Sequence, residues 1–153
     1  MNTEENKIIV RNWFDKDYMV PDLIQWVNNT LAFDETHTDE QRHWKTDPSQ
    51  IKQIGKGQCG EFSILYVAAC LAQGYDARLV VATNVNYPYQ DLHVWTEVKM
   101  CGWIHVDPSE NMWGDKYMYQ NEEWGQAIGS TVKIYAFEDG KSQDITLNYI
   151  AAS

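Results

Sequence analysis

The order of segments along the chain predicts an α+β domain in which one buried, cysteine-bearing helix packs on an antiparallel β-sheet. Three observations carry that expectation. From Phe62 to Tyr75 no side chain is charged, and apolar residues fall on every side of a helical projection. Directly after it come "ARLVVATNV" (77–85), "HVWTEV" (93–98) and "GWIHVDP" (102–108), rich in β-branched and aromatic residues and partly alternating. Two further strand-like runs, 131–138 and 143–149, flank the turn "EDGK" as a hairpin would.

Taken in order, residues 1–20 are polar with scattered aromatics, Trp13, Phe14 and Tyr18. Pro21 then opens a helical pattern through Leu23, Ile24, Trp26, Val27 and Leu31, whose apolar stripe is suited to docking. Residues 34–50 are polar and connecting, until Asp47-Pro48 sets a cap-then-proline helix start before Ile51 and Ile54. The stretch "GKGQCGEFS" (55–63) follows and places Cys59 at the amino end of the charge-free helix. Gly74 stands where that helix needs a C-cap.

With 153 residues, 44% of them hydrophobic, the chain is expected to form a single domain over 1–153 with a core of its own. No run approaches the length of a membrane-spanning helix, and "MNTEENK" lacks the charged-then-apolar layout of a secretory signal, so a cytoplasmic location is expected. The sequon Asn28-Asn29-Thr30 is then a chance match. A net charge of −10 repels phosphate backbones and anionic membranes, which argues against nucleic acid or membrane as partners. Cys59, Cys70 and Cys101 are odd in number and form no C-x-x-C pair, so reduced thiols are expected, with no disulfide framework, no metal site and no cofactor.

The chemistry-bearing residues sit on the predicted strands. By the period of two, His93, Trp95 and Glu97 share one face, and Trp103, His105 and Asp107 share a face of the next strand. A hairpin with Lys99-Met100-Cys101 as its loop, and Gly102 just after it, sets His93 directly opposite Asp107. An imidazole held by a carboxylate is what a cysteine nucleophile requires as base and orienter. A helix amino end adds unpaired N–H groups and a dipole that favour thiolate over thiol, and the Cys59 N–H itself is placed to help bind an oxyanion. Cys59, His93 and Asp107 fit the three roles.

Plainer readings apply to each residue alone. A cysteine at a helix start is commonly just packed, and an interior histidine is commonly just hydrogen-bonded. His105, beside Trp103, reads as structural, His37 and His43 as solvent-facing, and Asp91 as a loop residue that rivals Asp107 as orienter. Cys70 lies roughly 16 Å from Cys59 by helix rise, too far to pair with it. Glu61 either complements the helix dipole or serves the site.

"GQCGEFSILYVAACLAQGYDARLV", "HVWTEV" and "GWIHVDPSE" together resemble the core of the transglutaminase-like superfamily, with its papain-like cysteine-protease fold. Within it the chain is similar to the cytoplasmic peptide:N-glycanases, which carry GRCGEW, HVWTEV and W-x-H-x-D-P-C-E. "YQNEEWG" and "VKIYAFEDGKSQDITLNY" extend the similarity toward residue 149, and "WFDKDYMVPDLIQWVNN" extends it toward residue 11. The resemblance implies Cys59 as nucleophile, His93 as base and Asp107 as orienter, with Glu61, Trp95 and Glu97 as substrate-binding positions. It implies a glycoprotein or peptide substrate whose glycan–asparagine amide is cleaved through a thioester acyl-enzyme. Trp95, Trp103, Trp113 and Trp124 are then candidate walls for sugar stacking. The chain departs from the pattern in reading "CGEFSI" for "CGEWAN" and in lacking the family's two zinc-binding C-x-x-C pairs between Asn28 and Gly55. The alternatives are a cysteine protease, amidase or amine-transferring transglutaminase built on the same triad, and a non-catalytic binding module.

Overall fold

The computed structural model describes residues 3–35, 46–87, 90–114 and 133–149. In chain order they form helices α1 (Thr3–Arg11) and α2 (Val20–Thr30), strand β1 (Ala32–Phe33), helix α3 (Pro48–Ile54), strand β2 (Lys56–Gly57) and helix α4 (Cys59–Ala72). Strands β3 (Asp76–Tyr87), β4 (Gln90–Lys99) and β5 (Trp103–Asp107) follow, then a 3₁₀ turn (Pro108–Glu110), strands β6 (Met112–Gly114), β7 (Lys133–Glu138) and β8 (Lys141–Asp144), and a last short helix, α5 (Thr146–Tyr149). The main sheet has the order β6-β5-β4-β3-β7-β8 with every neighbouring pair antiparallel, while β1 and β2 make a small parallel pair. This is the α+β arrangement expected from the sequence.

The local rules hold where the sequence was most explicit. Asp47 caps α3 by accepting from the Ser49 amide at 2.9 Å, and Pro48 occupies the first turn. Helix α4 closes in a Schellman motif, with Tyr75 N donating to Cys70 O at 2.9 Å and Gly74 N to Leu71 O at 3.1 Å, and Gly74 takes the left-handed φ of +89° that this closure demands. Asp139 and Gly140, both at positive φ, turn β7 into β8.

Helix α4 is the centre of the core. Phe62, Leu65, Tyr66, Ala69 and Cys70 pack with Leu23, Ile24 and Val27 of α2, Val10 of α1, Ile51 of α3 and Ala77, Val98 and Val106 of the sheet. Each fully buried aliphatic side chain of this kind contributes about 1.5–3 kcal/mol relative to exposure. A helix apolar all round therefore finds a partner on nearly every side.

Three expectations need correction. The polar opening segment contains α1, which was not foreseen because few of its positions are apolar and only Val10 among them is buried. Residues 146–149 are helical rather than the end of a strand: Asp144 accepts from both the amide and the hydroxyl of Thr146, an Asx-type turn that leads the chain out of the ladder just after Ile145 N bonds Ile134 O. The β4–β5 register is displaced by two residues, pairing Lys99 with Trp103, Glu97 with His105 and Thr96 with Val106. Gly102, at φ +136°, belongs inside the loop, and Lys99 stays in the strand with its Nζ 5.9 Å from the centre of the Trp103 ring. Because the displacement is even, no side chain changes face.

Candidate active site

The site is assembled at the amino end of α4. Gly57 precedes it because a Cβ there would stand 2.5 Å from the Cβ of Glu61. Gln58 is extended, and its amide donates to Glu61 Oε1 at 2.9 Å, the carboxylate half of a capping box that fixes where the helix begins. The loop is clamped from outside as well: Asp34 N donates to Gly57 O at 2.8 Å and Gln58 Nε2 to Asp34 O at 3.0 Å. Cys59 is thus held as the first helical residue, 2% exposed. Ser63, four residues on and so on the same side of the helix, donates its hydroxyl to Val94 O at 3.3 Å. The thiol side of α4 is pinned to β4 beside His93.

His93 and Asp107 do meet, although not as direct cross-strand partners. Continuing the observed register sets Asp107 across from Trp95, and His93 reaches it diagonally from two residues away on the same face. His93 Nε2 lies 2.7 Å from Asp107 Oδ2, both residues buried. The other carboxylate oxygen, Oδ1, accepts from Ser109 Oγ at 2.8 Å and from the Glu110 amide at 3.4 Å, so Asp107 also caps the 3₁₀ turn. Asn28 of α2 donates to Pro108 O at 3.1 Å and ties that turn to the helical layer. The sequon asparagine therefore has a structural use.

With Nε2 engaged by Asp107, Nδ1 is the nitrogen that faces the Cys59 thiol, which is a hydrogen-bond neighbour of the ring. Burial alone would lower the His93 pKa. The Asp107 carboxylate outweighs it by charge and hydrogen bond, Cys59 adds to the effect, and the ring is pushed up to about 10. An imidazolium between a carboxylate and a sulfur is the arrangement that supports a nucleophilic thiolate near neutral pH.

The expected substrate contacts fare differently. Glu61 is buried, with Oε1 committed to the helix cap. Trp95 and Glu97, expected as substrate contacts, are fully buried and present no surface in this structure. Trp95 Nε1 donates to Tyr149 OH at 3.1 Å, Tyr149 OH donates to Glu97 Oε2 at 2.5 Å, and Glu97 Oε1 accepts from Arg78 Nε at 2.8 Å and Nη2 at 2.6 Å. Sequence reasoning missed Arg78 and Tyr149. The signal for Arg78 was a charged residue in the apolar run "ARLVV", directly paired across the ladder with the charge in "HVWTEV".

His105 is fully buried, its Nδ1 3.3 Å from Tyr149 OH. Cys70 is buried in the core, and Cys101 is exposed in the β4–β5 loop. Of the candidate sugar walls, Trp113 is 51% exposed and Trp103 lies beneath the Arg78 guanidinium, 3.9 Å from its ring centre. His37, His43, Trp124, the side chain of Asp91 and the stretch "YQNEEWG" lie outside the described residues. Among the described residues no group of His, Cys, Asp and Glu is arranged to hold a metal ion, and no helix is long and apolar enough to cross a membrane.

A cysteine at the amino end of a central helix, packed on an antiparallel sheet that carries a histidine–carboxylate pair, defines a papain-like cysteine-protease architecture. Residues 9–108 match the transglutaminase-like superfamily, and the chain belongs to that family. It is 32% identical, over 90% of its own length, to the Drosophila melanogaster peptide-N(4)-(N-acetyl-beta-glucosaminyl)asparagine amidase, and spans 24% of that protein. Matched chains from Arabidopsis thaliana and Gallus gallus carry the same name. Among solved structures it resembles a candidate cysteine protease of Cytophaga hutchinsonii, with a TM-score of 0.54 and 18% identity over 93% of this chain and 48% of that one. It also resembles the Rad4–Rad23 complex bound to a 6-4 photoproduct UV lesion, with a TM-score of 0.56 and 14% identity over 86% of this chain and 36% of that one. At those identities the two structures bear on the fold alone.

Proposed function

We propose that this domain is a cysteine-dependent amidohydrolase that cleaves the amide joining an N-glycan to asparagine in a glycoprotein or glycopeptide, with Cys59, His93 and Asp107 as nucleophile, base and orienter. The observation that carries the reading is the His93 ring held 2.7 Å from Asp107 on one side and against the Cys59 thiol on the other, in a chain 32% identical to a peptide-N(4)-(N-acetyl-beta-glucosaminyl)asparagine amidase.

The thiolate attacks the carboxamide carbon, and the C=O pair moves onto oxygen, where the Cys59 backbone N–H at the head of α4 favours the oxyanion. Collapse expels the glycosylamine, which takes its proton from the His93 imidazolium and leaves a thioester. His93, now neutral, removes a proton from water as it attacks the thioester. The second collapse releases the peptide with aspartate in place of asparagine and restores the thiolate–imidazolium pair. Asp107 fixes the ring throughout, so that Nδ1 meets sulfur, leaving group and water in turn. The chemistry calls on no cofactor, and thiols kept reduced suit a cytoplasmic setting.

The test is mass spectrometry of a denatured N-glycopeptide incubated with the protein and with Cys59→Ala. The expected result is loss of the glycan with asparagine converted to aspartate, absent in the variant. An unchanged glycopeptide, together with a Cys59 that still reacts with a thiol probe, would replace this reading with a protease or another amidase.

A further inference from the structure

We infer that Tyr149, at the end of the last described helix, is a positioning residue for the active centre: its hydroxyl locks Trp95, and Trp95 sets the plane of the His93 ring against Cys59. The inference rests on the reading of Cys59, His93 and Asp107 given above and extends it to a residue far along the chain.

The need for such a device follows from the geometry of an imidazole. The ring is tethered at Cγ and bonded to Asp107 through Nε2, but Nε2 lies near the Cβ–Cγ axis, so that bond resists rotation about the axis only weakly, and such rotation carries Nδ1 away from the sulfur. A wall against the ring face removes that freedom. The Trp95 indole supplies it, with centroids 5.7 Å apart and planes 30° from parallel. The wall works only if the indole is itself immobile.

Trp95 is held from two directions. Its Nε1 donates to Tyr149 OH at 3.1 Å, and the Tyr149 ring meets it edge-on at 5.3 Å between centroids. The hydroxyl donates in turn to Glu97 Oε2 at 2.5 Å, and Glu97 is anchored through Oε1 by both Nε and Nη2 of Arg78. Burial and the Glu97 carboxylate raise the Tyr149 phenol above its ordinary range, so the hydroxyl stays a donor. Glu97 and Arg78 are directly paired across β4 and β3, and His105 closes the remaining side with Nδ1 3.3 Å from the same hydroxyl. Among the described residues, His93 and its wall are met by Cys59 from α4, Asp107 and His105 from β5 and Tyr149 from α5, with Glu97 of β4 and Arg78 of β3 behind the tyrosine hydroxyl. One hydroxyl joins the chain's last described helix to the ring that faces the thiol.

A purely structural tyrosine and a positioning one differ in what they do to the thiol. The experiment is alkylation of Cys59 by iodoacetamide in the intact chain, followed by peptide mass spectrometry from about pH 4 to about pH 10, where the acid limb reports the thiolate–imidazolium pair. Wild type is expected to react well below the ordinary thiol range and to lose that reactivity in His93→Ala. An ordinary thiol profile, unchanged by His93→Ala, would overturn the active-site reading and this inference together. With that satisfied, Tyr149→Phe is expected to slow alkylation at neutral pH on the order of tenfold. Its acid limb should also move toward the ordinary thiol range. A Tyr149→Phe profile superimposed on wild type, even with a lowered melting temperature, would overturn the positioning role alone. Should Tyr149→Phe not fold, Trp95→Phe, which keeps an aromatic wall but lacks the indole N–H, is expected to displace the limb in the same direction, and an undisplaced limb there overturns the inference equally.

Discussion

Cys59 and Cys70 lie in the same helix, both almost inaccessible to water, and they face opposite fates. Cys70 sits three turns along, among Leu65, Tyr66 and Ala69. Burial pushes its thiol up to about 12. Cys59 has equal burial but a helix amino terminus at its back and an imidazole tied to a carboxylate in front. Burial by itself favours the neutral thiol, as at Cys70, and only a charged partner such as the His93–Asp107 pair can oppose it. The neighbours decide which protonation state the sulfur adopts.

The largest expected contrast is in reactivity. In native protein at neutral pH, a thiol alkylator should modify Cys59 and the exposed Cys101 while leaving Cys70 intact until the chain is denatured, as peptide mass spectrometry would report. Cys59→Ala should abolish glycopeptide cleavage, whereas Cys70→Ala should keep it and cost about 1 kcal/mol or somewhat more of stability for the lost packing. Native-state modification of Cys70 at a rate comparable to Cys59 would end the comparison.

A smaller effect separates the two regions by pH. It is best measured in a Cys59→Ala background, so that the ring does not trade its proton with the thiol. With Cys59 present the folded chain holds a proton on His93 up to about 10, against 6.5 for the ordinary ring; in the Cys59→Ala background the thiol's contribution is gone and the Asp107 carboxylate is what raises the ring. The group's stabilisation is full below pH 6.5 and is lost as pH rises through the folded value, which without Cys59 lies below about 10. Cys70 acts with the same sign in a later window, from its ordinary 9.0 to about 12, because the unfolded thiol ionises before the folded one. Adding His93→Gln to the background should therefore narrow the melting-temperature difference from its parent by a few degrees between pH 6.5 and 9, a range in which adding Cys70→Ala should leave the corresponding difference flat. A flat difference for His93→Gln would mean that Asp107 does not hold a charged ring.

Residues alone carried the central helix, the cysteine at its head and the histidine–carboxylate pair, because each follows from a local rule: periodicity, capping or strand alternation. The pairing of His93 with Asp107 survived a wrong register only because the error was two residues, and an odd displacement would have put the pair on opposite faces. What stayed hidden was tertiary. Nothing local distinguishes Trp95 and Glu97 as buried supports from the same residues as substrate contacts; that depends on Tyr149 arriving from 52 to 54 residues away. Likewise α1 is held by docking rather than by its own pattern.

The two ends of α4 sharpen the comparison with the smallest effects. Gly74, at the carboxyl end, has open space around its missing side chain and needs glycine only for its φ of +89°. Gly74→Ala should cost about 1 kcal/mol in backbone strain and leave glycopeptide cleavage unchanged. Gly57, just before the amino end, is not held by a left-handed φ but by contact: a Cβ would meet the Glu61 Cβ at 2.5 Å, an atom rigidly attached to the helix backbone. Relieving that clash moves either the β2 strand or the first turn of α4, and the first turn carries Cys59. Gly57→Ala should therefore lower kcat on the order of tenfold, since small displacements of a reacting atom are costly. If both glycine variants lose stability alike and neither loses turnover, the position of the α4 head is not what orients the thiol, and the clamp from Ser63 to Val94 O must hold it alone.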